Sequence, residues 1–338
     1  MNDKSKNDDI VSLERLEKAF KNVSFQIKCK KDATNFMKSR NLGKCSSNRF
    51  LAWMVSFDAI PEDPSVWPET FYHMIRNYRN KLNYYHTKSK SEIPNCLTNQ
   101  QTEEILADVK RGKNLFRNII KEIGVPLTMC DDSITRITRI LVIMISDAPQ
   151  HSFLQGFDRL ASVSFALSLH FALRISLSLI EAEAFAAVLL RNLVTLSEPA
   201  KFLTLPSTSM QFFVDLDAFL FKHNRKLMKI LFENQLRSEH FAANWVGVFF
   251  ADSHTPLDVL YIWDNVIINR KELTVYIKAL VSTHLDQIEI VDDPGQLIQN
   301  IMTFQDWDVE RIVQDAKSFL HYPFWSLNLL SAPLGFWL

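Results

Sequence analysis

Residues 156–195 read GFDRLASVSFALSLHFALRISLSLIEAEAFAAVLLRNLVT, and the way this stretch folds decides the class of the whole chain. Its apolar residues do not alternate with period two, so it is not a half-buried strand. Ala161 to Ile180 is apolar enough to suggest a membrane span, but His170 and Arg174 interrupt it, and ionisable groups are costly in a bilayer. The segment reads instead as a buried helix over about 156–180. A second helix follows over 181–195, where Glu, Ala and Leu, all strong helix formers, dominate.

Outward from there the same pattern continues. Upstream, helices are expected at about 132–147 (Asp131 or Asp132 as cap), 113–123 and 101–111. Residues 86–100 form a polar loop. A helix over 67–85 carries Phe71, Met74, Ile75 and Tyr78 on one stripe, and another places Phe50, Trp53, Met54 and Phe57 together before Pro61 and Pro64 break it. Residues 23–47 read as a connector with one short helix; Ile10, Leu13, Leu16 and Phe20 mark a first helix capped by Asp8 or Asp9, behind eight disordered residues. Downstream, Met210–Phe232 holds two helices that part at His223-Asn224, and 240–250 and 257–268 complete the regular part. The reading is all-α, a multi-helix array without a repeat of fixed period.

Composition narrows the function. The chain has 338 residues, 47% of them apolar, enough for a large core. Seven glycines are too few for glycine-rich nucleotide folds. Formal net charge is zero, which argues against a nucleic-acid partner. The basic run Lys28, Lys30, Lys31, Lys38, Arg40 and Lys44 reads as a solvated face before it reads as a membrane or acidic-partner surface. Cys29, Cys45, Cys96 and Cys130 lack CxxC spacing and clustered histidines, so they are expected as reduced cytosolic thiols with no metal site. The polar start has no signal-peptide core.

No GxxxxGK[ST], HExxH or GxSxG pattern occurs. Any catalytic side chain here would complete another protein's active site. Three segments stand out. In Ile105-Leu106-Ala107-Asp108-Val109-Lys110-Arg111, Asp108 and Arg111 are i,i+3 helix neighbours, and Gly112 is a candidate helix stop that would leave Arg111 at an exposed end. In Phe153-Leu154-Gln155-Gly156, Gln155 sits where loop becomes helix, and an amide both donates and accepts, as holding a water requires. In Trp245-Val246-Gly247-Val248-Phe249-Phe250-Ala251 and Pro256 to Asp264, most positions read as core, with Trp263 an anchor and Asp264 a cap or brace. Taken singly, the Asp108/Arg111 pair is an ordinary surface ion pair and Gln155 an ordinary helix entry.

In order, IxxDxxR, aromatic-x-Gln-Gly, and W…F-A…P-L…V-L…I-W-D resemble the signature of the TBC domain. Glu181-Ala182-Glu183-Ala184-Phe185 resembles its acidic helix start, and Arg49-Phe50-Leu51-Ala52-Trp53 its opening R-x-x-x-W. The stretch Arg49 to Tyr85 looks most like the branch containing member 5. The resemblance implies two helical lobes: an extension over 1–45, a TBC domain over 46–275 (first lobe about 46–180, second from about 181), and closing helices with an apolar tail over 276–338. It implies a partner, a GTP-bound Rab-type GTPase, to which GTP and Mg belong, with no cofactor of the chain's own. Arg111 would be an arginine finger, Gln155 a glutamine finger and Asp108 a support for Arg111, with Ile105, Phe153 and Gly156 around them and Trp53, Trp245, Trp263 and Asp264 as structural motif residues. Such proteins act in vesicle or endosomal traffic, from the cytoplasm or peripherally on membranes. Two positions depart from the family: Gly112 stands where Thr is usual and Phe153 where Tyr is usual, which implies a less preorganised Arg111 and weakened activity. A Rab-binding adaptor and a helical scaffold are the competing readings. The apolar tail 319–338, with Pro323 and Pro333, is expected to close the second lobe before it serves as a membrane contact.

Overall fold

The computed structural model describes residues 11–39, 46–86, 93–94, 96–147, 153–196 and 206–321. The expected disordered start, the Asp8 or Asp9 cap, Cys45, residues 87–92 and 95 of the 86–100 loop and the tail beyond His321 lie outside them. Among the described residues the regular structure is helical throughout. The chain divides into two units, Met1–Val194 and Thr195–Leu338.

The first unit holds α1 (Leu13–Lys21), α2 (Lys30–Lys38), α3 (Ser46–Ser56), α4 (Trp67–His86), α5 (Asn99–Glu122), α6 (Ser133–Asp147), α7 (Phe157–Arg174) and α8 (Leu179–Leu196). The lobe start expected near 181 falls inside α8, which belongs to this unit through Val194. Ser12 caps α1 by accepting from the Arg15 amide at 3.2 Å. The expected helix over 156–180 ends at Arg174; Ser176 takes φ 57°, which breaks it before α8. α7 packs against α3, α5 and α6 and is buried nearly all round, as a helix in the middle of a unit must be. Phe50, Phe71, Phe171 and Phe185 meet in its core; Phe50 and Phe171 stack with centroids 4.6 Å apart.

One correction concerns the centre of this unit. The stretches 101–111 and 113–123 are a single helix, and Gly112 does not end it. Ile105, Val109, Gly112, Phe116, Ile119 and Ile120 are buried and keep one unbroken helical stripe through the glycine. A glycine there costs about 0.5–1 kcal/mol against alanine. Burial of that stripe on α7 outweighs it, at roughly 1.5–3 kcal/mol per large apolar side chain.

A buried ionic cluster ties three helices of this unit together. Glu183, fully buried, accepts from Tyr78 Oη at 2.9 Å, Arg139 Nε at 2.8 Å and Arg136 Nη1 at 2.5 Å. Two residues away, Glu181 accepts from Arg79 Nη2 and from the Ser178 amide, both at 2.8 Å. The glutamates read as a helix start thus also clamp α4 and α6 to α8. Burial beside Glu183 pushes the Tyr78 hydroxyl well above its usual pKa.

The second unit holds α9 (Pro206–His223), α10 (Arg225–Glu233), α11 (Glu239–Gly247), α12 (Pro256–Ile268), α13 (Leu273–Leu285), α14 (Pro294–Thr303) and α15 (Val309–Ser318). α13 is its hub, packing on α9, α11, α12 and α15. The chain parts at His223-Asn224, where the Asn224 amide side chain donates to the Ser282 carbonyl at 3.2 Å and to Asp286 at 2.7 Å. After α11, Phe249 and Phe250 take φ 47° and 65°, a strained conformation for residues with a Cβ. Trp263 holds that turn by donating its indole N–H to the Phe249 carbonyl at 2.9 Å.

His254 and His284 lie in the same aromatic cluster, their Nε2 atoms 3.0 Å apart. Two full cations cannot share that contact. Burial pushes His254 down to about 4 and His284 well below the usual histidine value. A base with a depressed folded pKa contributes stability above its unfolded pKa and loses it as pH falls toward the folded one. Stability should therefore fall between about pH 6.5 and 4, by roughly 3 kcal/mol for His254 alone. Urea denaturation across that range checks this; a flat profile, or one that the His254→Phe variant does not flatten, would refute it.

Candidate functional site

Arg111 lies in the middle of α5, not at its end. It is nonetheless exposed, with 62% of its side chain accessible. The helix starts at a capping box that the sequence displays as Thr98-x-x-Gln101: the Gln101 amide donates to Thr98 Oγ1 at 3.2 Å, and the Thr98 amide to Gln101 Oε1 at 3.1 Å. One turn before Arg111, Asp108 is buried and pairs with its guanidinium. Ile105, fully buried, faces the core from the same helix. A buried acid under an exposed arginine restricts where the guanidinium can point.

Gln155 is exposed in the turn that opens α7. Gly156 is the N-cap at φ 104°, a conformation that L side chains rarely adopt, and so the turn needs glycine there. Phe157 and Arg159 close the turn by donating to the Leu154 carbonyl at 3.1 Å and the Gly156 carbonyl at 2.9 Å. Phe153 stands edge-on to Phe157, centroids 6.3 Å apart, so the ring at this position packs without a hydroxyl.

These two segments belong to one place. α5 and α7 lie side by side, with Phe116 stacked on Phe165 at 5.4 Å. At the start of α7 the Asp158 carboxylate rests on Gly112. Residue 112 follows Arg111 and residue 158 is three beyond Gln155, so both exposed side chains flank the same helix–helix contact. Asp158, which no motif reading singled out, is fully buried there and pairs with Arg159. The signal was available: a glycine inside an apolar stripe implies a close neighbour.

The other motif residues sit on other helices. Trp53 is fully buried in α3. In the second unit, Trp245 packs on Phe250, His284 and Trp307, Trp263 anchors the 249–250 turn, and Asp264 is fully buried in α12. A concave pocket lined by Asn77, Asn80, Lys81, Tyr84, Tyr85 and Asp147 contains none of the predicted residues. Among the described residues no cluster of three or more His, Cys, Asp or Glu could hold a metal, and no helix is long and apolar enough to cross a membrane. Cys29, Cys96 and Cys130 form no disulfide among the described residues, and Cys96 Sγ accepts from Ser146 Oγ at 2.9 Å.

A solved structure shares this fold. The crystal structure of the Ypt/Rab-GAP domain of Gyp1p aligns with TM-score 0.66 at 15% identity, covering 91% of this chain and 98% of that one. A Chlamydomonas flagellar RabGAP TBC domain aligns with TM-score 0.44 at 14% identity, covering 92% and 96%. No curated protein sequence matches. The profile of the Rab-GTPase-TBC domain matches residues 46–290, which spans α3 to α13 and includes every predicted site residue, although it distinguishes no branch. The chain belongs to the RabGAP-TBC family.

Proposed function

We propose that this protein activates a Rab-type GTPase, supplying Arg111 and Gln155 in trans to the partner's bound GTP. The observation that carries this reading is the placement of both residues, exposed, on either side of the Gly112–Asp158 contact. Phosphoryl transfer passes through a loose transition state with charge spread over the phosphate oxygens. The planar Arg111 fork would bind two of those oxygens, and Asp108 would hold the fork in place. The Gln155 amide would accept from and donate to the attacking water, replacing the partner's own glutamine. GTP and Mg are the partner's, and the chain contributes no cofactor. By regulating a Rab protein it would act on vesicle or endosomal traffic, from the cytoplasm or at the membrane surface.

Single-turnover GTP hydrolysis across a panel of GTP-loaded Rab proteins tests this, and at least one should be accelerated. A responsive GTPase whose own switch glutamine is mutated should still respond to the wild-type protein. Gln155→Ala should slow hydrolysis while a complex with a transition-state analogue still forms. Binding without acceleration would mean an adaptor, and no binding to any Rab a scaffold.

A further inference from the structure

The departure from the family at position 112 has a structural partner. A Cβ built on Gly112 would overlap Asp158 Oδ2, with Asp158 Cγ and Arg159 Nη1 both at 3.5 Å. The Asp158 carboxylate has little room to give way: it is fully buried and pairs with Arg159. The Asp158 side chain on the first turn of α7 therefore occupies space that is open only because residue 112 lacks a side chain. That turn is the one whose path Gly156 fixes and whose tip is Gln155.

We infer that Gly112 and Asp158 form a steric lock that sets the Gln155 turn against the Arg111 turn of α5, with Asp158 a positioning residue. The threonine usual at position 112 is thus not a missing support in this chain, because Asp158 fills the space that its side chain would need. Adding a side chain at 112 forces the first turn of α7 outward, and Gln155 moves with it. Removing the Asp158 carboxylate reopens the space. The two changes should compensate one another, which independent structural defects would not do.

The inference rests on the proposed function for its catalytic consequence but not for its geometry, and the test separates the two. On a Rab protein that the wild-type chain stimulates, Gly112→Ala should lower kcat by at least about 10-fold while KM changes little, as misplacement of a catalytic group does. Gly112→Ala combined with Asp158→Ala should return kcat to within about threefold of Asp158→Ala alone. In parallel, amide hydrogen exchange over residues 153–160 of the free protein should speed up in Gly112→Ala and slow again in the double variant. If no Rab responds to the wild-type chain, the functional reading fails, and the exchange series alone decides the lock. Wild-type exchange in Gly112→Ala, or an equal effect of that change with and without the Asp158 carboxylate, overturns the inference.

Discussion

Arg111→Ala is expected to lower the stimulated kcat/KM of the partner GTPase by at least about 10²-fold, a cautious floor beneath the range of arginine fingers. The physical reason is local. Arg111 projects from the solvent side of α5, with its charge directed by a buried acid one turn earlier. Deleting it removes a charge complementary to the transition state and little packing. Folding should survive, because the apolar stripe that binds α5 to α7 does not include residue 111. Arg111→Lys should recover little, since an ammonium is a point charge without a bidentate fork. The measurement is single-turnover hydrolysis with each variant, alongside thermal melting. Retention of most activity by the alanine variant, with an unchanged melting temperature, would remove Arg111 from the mechanism.

Most of the helices were legible in the sequence because burial on one face leaves a 3.6-residue period. α6, α12 and the break at His223-Asn224 fall within two residues of where that period and the local breakers put them. Gly112 was misread for an instructive reason. A glycine after the last periodic residue is a good stop, but here the period runs on through Phe116 and Ile119. Summed apolar burial prevailed over one residue's propensity. At the site, the sequence carried the residue types and their order, while the positive φ of Gly156 emerged only with the fold. It did not carry the Gly112–Asp158 contact, because two residues 46 positions apart become neighbours only once α5 and α7 are docked. For the same reason Glu183 read as a helix start and not as the acceptor for Tyr78, Arg136 and Arg139.

The largest stability effect is expected at that acceptor. Glu183→Ala should destabilise the first unit by about 3–5 kcal/mol, because breaking a buried ion pair leaves the remaining charges without compensation. Arg136 and Arg139 would both lose their acceptor, in a region where their side chains are only 18% and 13% exposed. Tyr78, fully buried, would lose its hydrogen bond as well. For a unit of this size the loss corresponds to a fall in melting temperature on the order of 10 °C. Glu183→Gln should be intermediate, since it keeps one acceptor oxygen but surrenders the charge and presents an N–H₂ to two guanidinium groups. An exposed pair serves as the control: Lys30 meets Asp58 at 2.5 Å with both side chains in solvent, and Lys30→Ala should cost no more than about 1 kcal/mol. Because the cluster joins α4, α6 and α8 and shares no residue with the Gly112–Asp158 contact, Glu183 variants should lose stability and soluble yield in step with activity per cell, while activity per folded molecule stays near wild type. A melting temperature for Glu183→Ala no lower than that of Lys30→Ala would show that the cluster is not what holds these helices together.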